Sequence, residues 1–207
     1  MSKISVPPTN DLCPQTLFAY GTYRADGKPN FGLFCWFSYC WCGELGVMCA
    51  IGGKKLTQER ILENRIFSAN LVVEGNLALA DYFGTADGHD ADKMDIDVAW
   101  ETGKVLDVPI LTNSPMSFEL EVDQVIPTTE KEGNIVLICR IRNVLKEEEL
   151  TDGRFTMEEI MKRIGAVRTC GALDYWSWDG RHLGKWHEPA QKVKQGIQIG
   201  KAAQLDE

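Results

Sequence analysis

The chain has 207 residues, 44% hydrophobic and 25% charged, the balance of an ordinary globular domain rather than a disordered or fibrous chain. One domain of this length buries enough apolar surface to fold without disulfides or metals. Twenty-two basic against 30 acidic residues give a formal net charge of −8 with no basic block, which argues against nucleic acid or an anionic membrane as a partner.

In chain order, residues 15–24 read as a strand carrying Leu17, Phe18, Tyr20 and Tyr23. Asp26-Gly27 follows, a pair that tolerates positive φ and so turns a hairpin. The return strand covers 30–37, and 38–43 is an irregular aromatic segment. Residues 45–51, short, apolar and bounded by glycines, read as a buried strand. Thr57 is placed to N-cap a short helix over 58–64. A strand over 66–73 precedes a helix over 77–83, capped by Asn76 and stopped by Gly84 in the left-handed region. The polar, acidic stretch 85–97 reads as a surface loop with room for one helical turn. Residues 104–111, 116–127 and 134–145 are β-like, the last two joined by a turn ending at Gly133-Asn134. Thr156-Met157-Glu158-Glu159 matches a capping box, in which Thr and Glu each satisfy the other's free amide. It opens a helix to about 164 with Met157, Ile160, Met161 and Ile164 on one face. The tail from Glu188 is helical or loose, so a domain over 1–187 carries a tail over 188–207. Hairpins separated by helices too short for regular βαβ crossovers favour a mainly antiparallel barrel. Neither dinucleotide-binding nor Walker glycine patterns occur.

Four constellations bear on chemistry. Gly52-Gly53-Lys54-Lys55-Leu56-Thr57 puts two lysines and a hydroxyl at a helix start, which suits a phosphate; a solvated loop with an ordinary cap accounts for the same residues. Residues 30–41, NFGLFCWFSYCW, suit a flat ring system through stacking and main-chain hydrogen bonds, and equally suit a core strand beside a subunit interface. The seven cysteines, Cys13, Cys35, Cys40, Cys42, Cys49, Cys139 and Cys170, are odd in number and follow no apolar leader. That favours reduced thiols and a cytoplasmic setting. Their spacing matches neither zinc knuckles nor iron–sulfur ligation, so no metal is expected. Residues 31–53, broken by Gly43, Glu44 and Gly46, are too interrupted to span a bilayer. His89, His182 and His187 are scattered, and no nucleophile elbow accompanies them.

Taken in order, the Asp26-Gly27 hairpin with Pro29-Asn30, Trp36-Phe37-Ser38, Lys54-Lys55-x-Thr57, Ile61 and Phe67-x-x-Asn70 resemble the flavin reductase-like, FMN-binding split-barrel family, in its flavoredoxin branch. Asp92-Lys93, Val108-Pro109-Ile110-Leu111 and Phe118-Glu119-Leu120-Glu121 extend the resemblance, which spans roughly 12–185. It implies a split β-barrel with a few short helices that forms a homodimer with FMN near the subunit interface. Lys54, Lys55 and Thr57 would hold the phosphate. Asn30, Cys35, Trp36, Phe37 and Ser38 would line the flavin, with Asn70 on the neighbouring strand and Lys93 approaching from a loop. It implies an FMN-dependent oxidoreductase fed by NAD(P)H or a redox protein, with the redox chemistry belonging to the flavin. A barrel that has lost or repurposed its flavin site is the alternative. Residues 38–44 lack the family's proline-rich turn. If bulky Tyr39 and Trp41 cover the flavin face there, a protein donor is favoured over NAD(P)H.

Overall fold

The computed structural model describes residues 3–9, 14–90, 93–128, 133–171 and 173–205, with side chains to 197. Cys13 and Asp92 lie outside the described residues. Seven strands form one antiparallel sheet: β2 (Phe18–Tyr23), β3 (Pro29–Phe34), β4 (Phe37–Trp41), β5 (Leu45–Ile51), β6 (Ile66–Leu71), β9 (Met116–Pro127) and β10 (Ile135–Lys146). Their order is β3-β2-β6-β9-β10-β5-β4. Sequence neighbours β3 and β4 thus occupy opposite edges, and the sheet must curl to bring them back together. It does so: Phe37 on β4 packs on Phe18 of β2, ring centroids 4.3 Å apart, and on Phe118 of β9 at 5.6 Å. The rolled, unclosed sheet is a split barrel. Its interior holds Tyr20, Val47, Cys49, Phe67, Leu120, Leu137 and Cys139, all fully buried.

The segment 38–43, expected to be irregular, is strand as far as Trp41, in register with β5 from Phe37 opposite Cys49 to Trp41 opposite Leu45. Its aromatics flank a ladder rather than a loop. The Asp26-Gly27 turn forms as expected: Gly27 has φ of 80°, and Asp26 Oδ1 accepts from the Lys28 amide at 3.1 Å.

Outside the barrel lie α1 (Leu56–Asn64), α2 (Leu77–Thr85), α3 (Met157–Arg163) and α4 (Ala190–Leu205). A small ladder pairs β7 (Trp100–Thr102) with β8 (Pro109–Leu111), so the strand expected over 104–111 is confined to its end. The second sheet is β1 (Gln15–Thr16), β11 (Val167–Cys170), β12 (Asp174–Ser177) and β13 (His182–Lys185), in the order β1-β11-β12-β13. Buried Asp81 of α2 ties these outer parts together. It accepts from Tyr175 Oη at 2.6 Å, from the His187 amide at 3.1 Å and from the Ala190 amide at 2.9 Å. The tail from Glu188 is therefore docked as α4, with Ala190 buried and Val193 and Ile197 against α2's apolar face.

Two expected caps are absent. Asn76 does not cap α2; its Oδ1 accepts from the Val73 amide at 2.9 Å and its Nδ2 donates to the Asn113 carbonyl at 3.1 Å. Gly84, expected to stop α2, lies within it because the helix runs on to Thr85. The α3 capping box forms as expected, Thr156 accepting from the Glu159 amide and Glu159 from that of Thr156.

Candidate cofactor-binding site

The link from β5 to α1 turns at Gly52-Gly53, with Gly53 at φ of 72°, where a side chain would be strained. Asn134, just before β10, accepts from the Gly53 amide at 2.7 Å. Gln58 of α1 donates to the Gly133 carbonyl. The turn is thereby anchored to the β9–β10 hairpin, and it delivers Lys54 and Lys55 to the start of α1.

Thr57 does not cap that helix. Lys55 stands at the cap position with extended φ and ψ, and its side chain makes no capping hydrogen bond. An uncapped helix start presents unpaired N–H groups and the positive end of the helix dipole. Thr57 is instead buried, and its Oγ1 accepts from Asn30 Nδ2 at 3.0 Å.

Across from this turn, the end of α2 and the following loop form the other wall. Lys54, Lys55, Leu56, Thr57, Gly32, Leu33, Phe34, Phe83 to Gly88 and Lys93 together enclose a cleft of about 280 Å³. Gly88 must stay small: a Cβ there would sit 2.8 Å from Leu56 Cβ. Arg24 Nη1 holds the loop by donating to the Gly88 and Asp90 carbonyls, each at 3.2 Å. At the rim, His89 Nδ1 lies 2.9 Å from Asp87 Oδ1 and Nε2 lies 3.1 Å from Glu59 Oε2. Hydrogen bonds to Asp87 and then Glu59 raise the imidazole's pKa, so the loop is fastened to α1.

Lys93 is the unusual cation. It is 4% exposed, and its Nζ donates to the Phe31 carbonyl at 2.7 Å and the Phe83 carbonyl at 3.1 Å. Burial above all lowers its pKa to about 8, against support from Asp87 and with repulsion from Lys55 and Arg24 adding to the fall. An ammonium held dry by two neutral carbonyls has electrostatic need of an anion. The stretch 85–97, expected as a solvated loop, thus carries a buried charge.

The other expected residues divide. Trp36, between β3 and β4, is half-exposed, and its indole lies beside Gly52, 3.9 Å from the position of a Cβ there. Cys35 is partly buried against the apolar layer under α2. Phe37 gives its ring to the barrel interior, and Ser38 is exposed, its hydroxyl meeting the Tyr39 carbonyl at 3.5 Å. Asn30 is wholly buried behind Thr57. The structure does not bring Asn70 to the cleft. Its Nδ2 donates to the Ala19 carbonyl and to Ser68 Oγ, and its Oδ1 accepts from the Leu111 amide and Ser117 Oγ. All of its polar capacity pins β6 to β2, β8 and β9.

A family model for the flavin reductase like domain matches residues 11–159, a stretch that holds every residue of the cleft. The chain belongs to the flavin reductase-like family. It is therefore of a flavin-related oxidoreductase kind. Solved structures share the fold. Flavoredoxin of Desulfovibrio vulgaris (Miyazaki F) is 22% identical with a TM-score of 0.74, covering 90% of this chain and 98% of that one. An FMN-binding protein from Thermus thermophilus with bound 1-cyclohex-2-enone is 24% identical with a TM-score of 0.66, covering 86% and 93%. Nitrilotriacetate monooxygenase component B from Bacillus cereus is 14% identical with a TM-score of 0.74, covering 86% and 96%. Among curated proteins, none matches the chain.

The lining of the flavin reductase-like cleft suits the phosphate end of a flavin nucleotide on its own chemistry: three lysines, a threonine and an uncapped helix start border it. Gly84, Thr85, Gly88 and Asn134 escape sequence reasoning because they stand far along the chain from the Lys-Lys turn they face. The Asn134 signal was present only as a hairpin turn residue. Among the described residues no cluster of His, Cys, Asp and Glu is arranged to hold a metal, and no helix is long and apolar enough to cross a membrane. Cys49 and Cys139 act as small core residues: their mutual hydrogen bond and burial push the Cys139 thiol far up.

Proposed function

We propose that the protein is an FMN-binding oxidoreductase that passes electrons through its flavin, as a flavin reductase or a flavoredoxin-like carrier. The observation that carries the reading is the convergence of the uncapped start of α1 with Lys54, Lys55, Thr57 and Lys93 on one cleft. The α1 amides and the two turn lysines would hold the phosphate, with Thr57 donating its hydroxyl proton. A cleft of about 280 Å³ seats the phosphate-bearing tail, so the ring would extend past it towards residues 35–38. Cys35, Phe37 and Ser38 would meet it chiefly through the main chain, and Trp36 through its indole. When bound, the flavin supplies the hydride and electron chemistry at its ring.

The exposed β4 edge supports a homodimer as the working unit, and NAD(P)H or a redox protein is the expected donor. Tyr39 and Trp41 are exposed on that edge. A partner protein therefore suits the surface better than a dinucleotide if they flank the flavin.

Purified protein titrated with FMN should form a yellow complex with one flavin per chain. Lys55→Glu combined with Thr57→Ala should weaken FMN binding at least tenfold while leaving the circular dichroism spectrum unchanged. A colourless protein that takes up no added FMN would sink the reading. Anaerobic reduction with NADH, NADPH or reduced ferredoxin would then identify the donor.

A further inference from the structure

Among the described residues, the Asn30 side chain makes two hydrogen bonds, both from the same atom. Its Nδ2 donates to Thr57 Oγ1 at 3.0 Å and to Thr22 Oγ1 at 3.4 Å. Its Oδ1 is buried without a hydrogen-bond partner, against Gly88, where a Cβ would stand 3.2 Å away. This amide orientation is the less costly one, because a buried N–H left unpaired is worse than a carbonyl left short. The amide nitrogen has protons only to give, so Thr57 Oγ1 must accept from it. Thr57's own proton then has to point elsewhere. No acceptor for it occurs among the described residues, and Thr57 lines the cleft.

We propose that Asn30 is a positioning residue: it fixes Thr57 as a hydrogen-bond donor into the cleft, and this polarity selects a phosphorylated flavin over one without phosphate. The inference rests on the FMN reading above and adds the residue that sets its specificity. A phosphate oxygen only accepts, so a hydroxyl already oriented as a donor meets it without reorganisation. Riboflavin offers a terminal hydroxyl instead of the dianion and leaves the lysines without a counter-charge. A site built to donate to a group discriminates strongly against an analogue lacking it.

The test compares dissociation constants for FMN and riboflavin, read by quenching of flavin fluorescence at pH 7. The wild-type protein should prefer FMN by more than tenfold. Asn30→Asp keeps the shape but accepts only, so Thr57 turns its proton inward. FMN affinity should fall at least tenfold while riboflavin affinity stays within twofold. Thr57→Ser keeps the hydroxyl and should keep the preference. If Asn30→Asp does not fold, Asn30→Leu serves. It should lower FMN affinity several-fold in the wild-type background and have no further effect in the Thr57→Val background. A variant at position 30 that loses both flavins equally, or that retains the full preference, overturns the inference and leaves the FMN reading standing. A wild-type protein that binds the two flavins equally overturns both.

Discussion

Lys93 is the residue through which the fold would couple to the proposed ligand. With its pKa lowered to about 8, the folded chain holds this proton less tightly than the unfolded chain does, a difference of about 3 kcal/mol by the free-energy equivalent of a pKa shift. The sign of the pH dependence follows from linkage. Below pH 8 the group is charged in both folded and unfolded states and the full cost is present. Between pH 8 and its unfolded value the folded state sheds the proton first, so the unliganded protein gains stability as pH rises. Affinity for an anion moves the other way, because the charge that attracts it is lost. FMN affinity measured from pH 6.5 to 9.5 should fall several-fold above pH 8, with proton uptake on binding in that range. Lys93→Met should flatten the profile. Sequence alone placed Lys93 near the cofactor only through family resemblance. Its burial depends on the Phe31 and Phe83 carbonyls, which lie 62 and 10 residues away.

The elements differ in how locally they are determined. Helix α3 is capped by residues three apart, so its start is legible from Thr156 and Glu159. Helix α1 is not: it starts at Leu56 with Lys55 at the cap position, and Thr57, inside the helix, is bonded to Asn30 on β3. The loop between β7 and β8 is another non-local case. Buried Glu119 of β9 accepts from the amides of Lys104, Val105 and Leu106 and from Asn143 Nδ2. Burial alone would raise its pKa. The donors from Leu106, Asn143, Val105 and Lys104 outweigh that and hold it below the ordinary carboxylate value. Its contribution is therefore complete above the unfolded-state pKa, and it is lost as pH falls through the lower folded value. Glu119→Gln turns an N–H₂ towards these donors and should cost about 2 kcal/mol, read as a lowered urea midpoint at pH 7. The difference from wild type should shrink as the pH is taken down to 3. Phe118-Glu119-Leu120-Glu121 was legible as a strand, but which residue it would fasten was not.

At the scale of the whole molecule, the sheet ends at β4, an edge strand bearing large apolar side chains. Trp41 is 77% exposed, Tyr39 60% and Trp36 51%, with Leu45 and Met48 of β5 beside them. An edge strand with such a surface is a hazard unless something covers it. A second copy is the occupant we propose, one that would complete the flavin site beside Trp36. Sedimentation equilibrium should find a dimer at micromolar concentration. Trp41→Glu should shift it towards monomer and weaken FMN binding without unfolding the chain. A monomeric wild-type protein would overturn this assembly.

The sequence by itself determined the strands of the barrel other than β4, the Asp26-Gly27 hairpin, the α3 capping box and the Lys-Lys-x-Thr turn. Each rests on residues within a few positions of one another, where alternation, turn chemistry and capping act. The tertiary structure alone decided that 38–41 is an edge strand, that Thr57 faces Asn30 rather than its own helix, that Asn70 is spent within the barrel wall, and that Lys93 is buried. Those outcomes depend on partners brought together by the rolling of the sheet, between which a side chain with one proton or two lone pairs must choose. No local pattern encodes that choice.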